Sequence, residues 1–271
     1  MTDFEKKENY NVYDLERIID LLRSENGCPW DKEQTHESIR RNMLEEAYEV
    51  CEAIDDDDSA HLCEELGDVM MQVVFHASIE KDKGAFTLDS VADMVCKKLI
   101  DRHPHVFGDV IAETSEEVLD NWDIIKMRER SQTSVSDTMD SVAKSLPALW
   151  RADKIISKAE KAGFKLSDPA QAADKLVEEA NRLKKAVHEG SDAYNELGDT
   201  LFAAAEVSRY LNVDPEYALG HASDEFIKAF RYAEDEAEKS GTSLRELDRE
   251  GILSSYKNKQ QTETLTTEDL K

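Results

Sequence analysis

The fold is decided by SIRRNMLEEAYEVCEAIDDDDSAHLCEELGDVMMQVVFHASIEK, residues 38–81. Its first part predicts an amphipathic helix over 38–54, because apolar residues recur there at the spacing of one helix face: Ile39, Met43, Ala47, Val50 and Ile54. Four aspartates at 55–58 follow and predict a short turn. A second helical pattern covers 60–81. Because the turn between them is short, the two helices must run antiparallel.

The rest of the chain repeats this helical periodicity. Further helices are predicted at 12–22, 87–102, 116–130, 149–162, 169–188, 193–211 and 215–239, with a short one near 244–256. Thr87, Asp168 and Asp214 stand where helix N-caps are expected, and Pro169 suits a first helical position. With only 10 glycines and 5 prolines in 271 residues, and no stretch that predicts a strand, the fold class is all-α.

Two segments of the chain resemble each other. Residues 44–47 match 177–180, and the Glu-Leu-Gly-Asp at 65–68 recurs at 196–199. The pattern predicts two tandem copies of one helical module. We expect a first module over 1–130, a linker rich in Ser, Thr and Asp over 131–144, a second module over 145–257 and a flexible tail over 258–271.

Four carboxylates of the first copy share a register. Glu46 and Glu49 lie three residues apart, as do Glu65 and Asp68, so each pair occupies one helix face. Glu46 and Asp68 are equally far from residue 57, and so are Glu49 and Glu65, which places them opposite each other across the hairpin. The alternative is two ordinary solvated faces. Four facing carboxylates repel unless cations intervene, so we predict a site for Mg²⁺ or Mn²⁺.

The second copy has the same register with one change. Glu179 faces Asp199, but Arg182 stands where a glutamate is needed opposite Glu196. A salt bridge between Arg182 and Glu196 is expected in place of a metal. The second site is therefore predicted to be degenerate and the first to be active.

A basic pair follows the first copy's hairpin. Lys98 and Arg102 share a helix face and suit the binding of a polyphosphate beside a metal, although a surface pair that balances local acids fits equally well. The corresponding positions of the second copy are Glu225 and Ala229, so both charges are lost there.

Other motifs are weaker. The sequence 103–105, His-Pro-His, is expected to stop a helix rather than to bind metal, and the Glu33–His36 spacing is attributed to chance. Trp30 is expected to be buried, with stacking on a base as the alternative. The remaining aromatic expectation is that three phenylalanines belong to the core: Phe75, Phe86 and Phe107.

The net charge of −26 disfavours nucleic acid and anionic membranes as partners. No apolar run is long enough for a membrane span, and the polar N-terminus does not suggest a signal peptide. The four cysteines form no Cys-x-x-Cys pair and are expected to be free thiols in a cytoplasmic protein.

Longer motifs give a family resemblance. They are NGCPWDKEQT at 26–35, LEEAYE at 44–49, ELGD at 65–68, RHPHVF at 102–107, SLPAL at 145–149 and Gly-Phe at 163–164. Through them the chain resembles, over about residues 12–239, the MazG family of nucleoside triphosphate pyrophosphohydrolases. The resemblance implies a helical bundle that dimerises and that hydrolyses an NTP or dNTP to a nucleoside monophosphate and pyrophosphate with Mg²⁺.

The resemblance also implies roles for particular residues. The metal ligands and catalytic residues are Glu46, Glu49, Glu65 and Asp68, with Lys98 and Arg102 on the phosphates and with Trp30 and Lys32 as further substrate contacts. Either Glu45 or Glu49 could orient the attacking water. Some two-domain members work mainly through the C-terminal copy, from which this chain departs at Arg182, so we expect the second copy to support a homodimer.

Two other classes of function remain open at this stage. One is a di-iron carboxylate bundle, which requires histidine ligands one helical turn from the glutamates. The other is a non-catalytic helical protein whose repeat serves assembly alone. Metal content and turnover of nucleoside triphosphates distinguish them.

Overall fold

The computed structural model describes residues 4–244 and, beyond them, residues 248, 250, 251, 253 and 256. These residues form helices and no strand, so the all-α prediction is confirmed. The chain divides into two compact units, Met1–Lys126 and Met127–Lys271. Most of the short helix predicted near 244–256, and the predicted tail, lie outside the described residues.

The helices of unit 1 are α1 (Val12–Arg23), α2 (Pro29–Glu33), α3 (His36–Asp55), α4 (Ser59–Asp82), α5 (Leu88–Arg102) and α6 (Pro104–Phe107), with α7 (Ser115–Glu129) reaching into unit 2. The helices of unit 2 are α8 (Val135–Asp140), α9 (Ala148–Lys161), α10 (Pro169–Glu189), α11 (Tyr194–Tyr210) and α12 (Pro215–Ser240). The bounds agree with the predicted helices to within a few residues.

The hairpin of α3 and α4 is the centre of unit 1. Asp57 takes a left-handed backbone with φ of 53°, a conformation that aspartate tolerates in turns, and Asp58 then caps α4 by accepting from the N–H groups of Ala60 and His61. The two helices pack closely along their length. Ile39 and Phe75, which the predicted register places opposite each other, are both buried in the core cluster.

Helix α1 packs on α4 through a polar network as well as through Ile19. The largely buried Arg23 donates to Ser78 at 2.7 Å, pairs with Asp82 at 2.8 Å and lies over the ring of Phe75. Ser78 in turn donates to Asp20. These bonds fix α1 along the C-terminal half of α4 and leave its N-terminal half, which carries Glu65 and Asp68, outside this network.

Helix α5 begins as predicted and then leaves much of its apolar surface exposed. The Thr87 side chain caps it by accepting from the N–H of Ser90, and Leu88 packs on the core, but no residue of α5 is buried. Phe107 is 63% exposed and Phe86 is 41% exposed. The prediction that these two rings belong to the core is therefore wrong; only Phe75 is buried, because α5 and α6 cover little of the hairpin in the single chain.

Unit 2 is built around a second antiparallel pair, α10 and α11, on which α9 packs. The expected caps at Asp168 and Asp214 are confirmed, and Gly190 ends α10 with φ of 67° in the left-handed region that glycine favours. The stretch 131–144, expected as a linker, contains α8, whose Thr138 is buried. The domain boundaries and the duplication itself stay predictions.

The expectations about the cysteines and about membrane spans can be compared with the structure. All four cysteines carry free thiols. Within the described residues, no helix combines the length and the apolar character that a membrane span requires.

Candidate metal and nucleotide site

Three of the four predicted carboxylates come together on the α3–α4 hairpin. Glu46 and Glu49 on α3 and Glu65 on α4 each present an oxygen, and the three oxygens lie within 4.8 Å of one another. Glu65 is buried, Glu46 half-buried and Glu49 exposed, so the cluster opens to solvent on one side. The hairpin register that the sequence predicts therefore brings these side chains to one place.

The electrostatics of the cluster show that its charges are crowded. Burial raises the pKa of Glu46 above its ordinary value, and the negative charges of Asp68 and Glu49, a hydrogen bond with Glu49 and the charge of Glu65 raise it further. The fourth predicted residue, Asp68, is thus close enough to Glu46 to act on it. A cation bound between these groups would relieve the repulsion.

The donor set fits a hard divalent ion. All the donors are carboxylate oxygens, which Mg²⁺ and Mn²⁺ prefer. Oxygens bound to one Mg²⁺ stand about 3.0 Å apart when adjacent and about 4.2 Å apart when opposite, so three oxygens within 4.8 Å of one another can converge on one ion by side-chain rotation. No histidine belongs to this three-residue group in the described part of the chain, which makes the di-iron alternative a poor fit.

The predicted phosphate contacts lie on the adjoining helix. Lys98 and Arg102 stand in the last two turns of α5, a helix that contacts α4. Arg102 is half-buried and Lys98 exposed. Their contact with phosphate stays a prediction.

An aromatic cluster next to Arg102 escaped the sequence analysis. The ring of His103 meets Trp122 edge-on at 5.3 Å and lies 5.5 Å from the ring of His105. Lys126 places its ammonium 4.7 Å from the centre of the Trp122 ring. The sequence signal for the contact between Trp122 and Lys126 was their spacing of four residues, on the helix that follows the RHPHVF motif.

This cluster contains two polar atoms without partners. His105 Nδ1 and Trp122 Nε1 are buried and form no hydrogen bond in the described structure. His103 instead directs its Nδ1 to the carbonyl of Leu99 at 2.6 Å, at the end of α5. Pro104 then begins α6, so the predicted helix stop is confirmed.

Trp30 and Lys32 lie on the short helix α2. Trp30 is 58% exposed, so the expectation that it is buried is wrong, and the ring is available for contact with another group. The ammonium of Lys32 lies 3.4 Å from the carbonyl oxygen of Glu25. Their roles as substrate contacts stay predictions.

Glu33 and His36 belong to different helices, in agreement with their spacing being a chance match. His36 directs Nε2 to Glu80 at 2.6 Å and Nδ1 to Nδ1 of His76 at 2.7 Å. The two rings are nearly parallel with their centres 5.0 Å apart. Since the nitrogens face each other at hydrogen-bond distance, the pair shares a proton and leaves no room for a metal between them.

In the second unit, two acids of α10 are paired with cations of the same helix. Arg182 lies 3.1 Å from Glu179 and also pairs with Glu178, while Lys175 lies 2.6 Å from Glu179. The hydrogen bond from Lys175 is the largest cause that lowers the pKa of Glu179. The predicted bridge from Arg182 to Glu196 is therefore wrong, because two acids on the helix of Arg182 itself stand within one turn.

Lys175 was missed in the sequence analysis, although it lies four residues before Glu179 on the same helix face. At the position matched to Arg102, Ala229 is buried in α12, and Lys228 pairs with Glu225 at 2.8 Å. In the second unit, Glu179 and Glu225 are therefore each paired with a cation from their own helix.

The fold and the site together are those of an all-α protein whose central hairpin gathers acidic side chains in one open cluster. The model of the MazG nucleotide pyrophosphohydrolase domain matches residues 34–107, which contain this hairpin and α5. The chain belongs to the MazG family of nucleotide pyrophosphohydrolases.

Similar proteins cover most of the chain. It is 42% identical to the nucleoside triphosphate pyrophosphohydrolase/pyrophosphatase MazG of Thermotoga maritima over 86% of this chain and 89% of that protein. It is 39% identical to the nucleoside triphosphate pyrophosphohydrolase of Escherichia coli K12, over 81% and 87% of the two chains. Against the uncharacterized protein YabN of Bacillus subtilis the identity is 42% over 96% of this chain, which spans only 54% of YabN.

Proposed function

We propose that this chain hydrolyses nucleoside triphosphates to nucleoside monophosphates and pyrophosphate with the help of Mg²⁺. The observation that carries the proposal is the group formed by Glu46, Glu49 and Glu65, with oxygens within 4.8 Å of one another, inside the segment that matches the family. The names of the relatives from Thermotoga maritima and Escherichia coli support the same reaction. Mn²⁺ is the expected substitute for Mg²⁺.

In the proposed reaction the carboxylates bind the metal and a water molecule is the nucleophile. Glu46, Glu49, Glu65 and Asp68 would hold Mg²⁺, which supplies charge neutralisation and a more acidic bound water. Water adds to phosphorus at the anhydride between the α- and β-phosphates, the bond from that phosphorus to the bridging oxygen breaks, and the monophosphate and pyrophosphate separate while one proton is released. Glu45 is engaged by Arg41 at 2.8 Å, so Glu49 is the better placed of the two to orient the water.

The rest of the substrate would extend over α5 and the aromatic cluster. Lys98 and Arg102 are proposed to contact the phosphates, and Trp122, with His103 at its edge, offers an aromatic surface for the base. Trp30 and Lys32 are proposed as further contacts.

A homodimer is part of the proposal. Leu44, Leu66 and Met70 on the hairpin are each about half exposed, and Met94 on α5 is 71% exposed. Apolar surface of this extent suits burial against a second copy. Light scattering on the eluting protein should give the mass of two chains, and Met94→Glu should shift it toward one; a wild-type monomer would contradict the dimer.

The cysteines and the net charge bear on the compartment and the partners of the protein. The free thiols of all four cysteines fit a reducing compartment, and we infer a cytoplasmic protein. The net charge of −26 disfavours nucleic acid as a partner and leaves the small, metal-bound triphosphate as the expected anion.

The test is a panel of NTPs and dNTPs with Mg²⁺ and separation of the products. A monophosphate and pyrophosphate in equal amounts support the proposal. A diphosphate with inorganic phosphate would overturn the cleavage position, and no turnover of any substrate would favour the assembly role.

A further inference from the structure

His61 lies in the first turn of α4, one turn before Glu65. Its backbone is fixed because the carboxylate of Asp58 accepts from the N–H groups of Ala60, at 3.0 Å, and of His61, at 3.1 Å. Positions four apart share a helix face, so the side chains of His61 and Glu65 are neighbours on the surface of α4.

The imidazole meets the most enclosed carboxylate of the cluster. His61 Nε2 lies 3.1 Å from Oε1 of Glu65, whose side chain is only 10% exposed. The two residues stand four apart on α4, so this contact lies within one helix. His61 is not a member of the three-residue group, so it acts on the site through Glu65.

We propose that His61 is a positioning residue for Glu65. We expect Nε2 to donate to one oxygen of Glu65 across this 3.1 Å contact, which would limit rotation of the carboxylate and leave the other oxygen free for the metal. Partners of this kind fix ligand orientation, and their loss commonly weakens metal binding by about 10-fold to 100-fold. The inference rests on the proposed function, because it assigns His61 to the same metal site.

The second unit offers an internal comparison for His61. Four residues before Glu196, at the place that His61 has before Glu65, stands Asp192. Asp192 is an acceptor and is used by the N–H of Tyr194 at 3.0 Å. Oε2 of Glu196 is buried without a hydrogen-bond partner. The unit whose ligand set is interrupted by Arg182 thus also lacks the donor.

The experiment measures Mn²⁺ binding by calorimetry on the full chain without substrate, together with the Mg²⁺ concentration that gives half-maximal hydrolysis. His61→Ala should weaken Mn²⁺ binding about tenfold and raise the half-maximal Mg²⁺ concentration to match. His61→Gln, whose amide nitrogen reaches a similar position, should stay within about threefold of the wild type. Lys185→Ala removes another i,i+4 pair, with Glu189, and serves as the matched control.

Thermal unfolding of each variant in metal-free buffer shows whether the fold is retained. Unchanged Mn²⁺ affinity in His61→Ala overturns the positioning role while the proposed function stands. His61→Gln as weak as His61→Ala overturns the role of the donated hydrogen bond. A wild-type chain that binds no Mn²⁺ and hydrolyses no nucleotide overturns the proposed function and this inference together.

Discussion

Arg182 lies 3.1 Å from Glu179 across one turn of α10, at the two positions where unit 1 has Glu49 and Glu46. In unit 1 the same pair is two carboxylates, and the pKa of Glu46 is raised, by burial first and by Asp68 and Glu49 next. In unit 2 the pKa of Glu179 is lowered, by Lys175 first. The surroundings of the two matched glutamates therefore act in opposite directions: they disfavour the charged form of Glu46 and favour that of Glu179, which has two cations beside it.

From this contrast we expect unit 2 to be dispensable for the chemistry. Arg182→Ala and the double variant Glu196→Gln, Asp199→Asn should each keep kcat within about twofold of the wild type, because neither changes a carboxylate of the first unit. Initial rates of pyrophosphate release provide the measurement. Loss of turnover in a variant that still unfolds cooperatively at the wild-type temperature would place catalysis in unit 2.

Metal should stabilise the folded chain before any substrate is added. At a Mg²⁺ concentration 100 times its Kd, binding adds about 2.7 kcal/mol to the free energy of unfolding. This corresponds to a rise of about 5–10 °C in the midpoint temperature of thermal unfolding of unit 1. Differential scanning fluorimetry with and without EDTA measures it.

Glu46→Gln is the informative variant for this effect. Removing one of the repelling charges should raise the metal-free midpoint by about 2 °C and abolish the rise with Mg²⁺. A Mg²⁺ response equal to that of the wild type would exclude Glu46 as a ligand.

Trp122 should govern substrate affinity more than turnover. Stacking of a base on an aromatic ring contributes about 1–3 kcal/mol, so Trp122→Ala is expected to raise KM about tenfold or more while kcat changes less, and Trp122→Phe should recover most of the affinity. Trp150, whose Nε1 lies 2.9 Å from Asp214, supplies a control tryptophan in unit 2 as Trp150→Phe. Equal KM values for Trp122→Ala and the wild type would remove Trp122 from the substrate site.

The His36–His76 pair predicts a pH dependence of stability. Burial, and then the charge of His36, lower the pKa of His76, so the folded state favours its neutral form. The sign follows: this contribution is complete above the ordinary value of 6.5 and is lost as the pH falls below it, through the lowered pKa. Free energies of unfolding in urea at pH 7.5 and pH 5.5 should differ more for the wild type than for His76→Gln. An equal or larger loss in the variant would contradict the assignment.

Much of the fold and part of the site could be predicted because they depend on local regularity. Helix faces repeat every three to four residues, and a hairpin with a short turn fixes which residues lie opposite each other. Ile39 and Phe75 in the core, and the three glutamates at the cluster, follow from that register.

The misses have a common physical cause. Arg182 pairs with Glu178 and Glu179 and not with Glu196. Partners one turn away on the same helix are always within reach, whereas the distance to a partner across a hairpin depends on how the two helices pack. Phe86 and Phe107 remain exposed because burial depends on what covers α5 and α6. The proximity of His103 to Trp122 joins two helices separated by an irregular segment, and periodicity carries no information about such a contact.

The proposed catalytic role of the unit 1 carboxylates is the release of pyrophosphate. It is tested most directly by the initial rate of pyrophosphate release from a good NTP substrate, at saturating Mg²⁺, for Glu49→Gln beside the wild type. Losing a metal ligand that also orients the water should lower kcat by about 100-fold or more, in a protein that still folds. A rate for Glu49→Gln equal to that of the wild type would contradict the account.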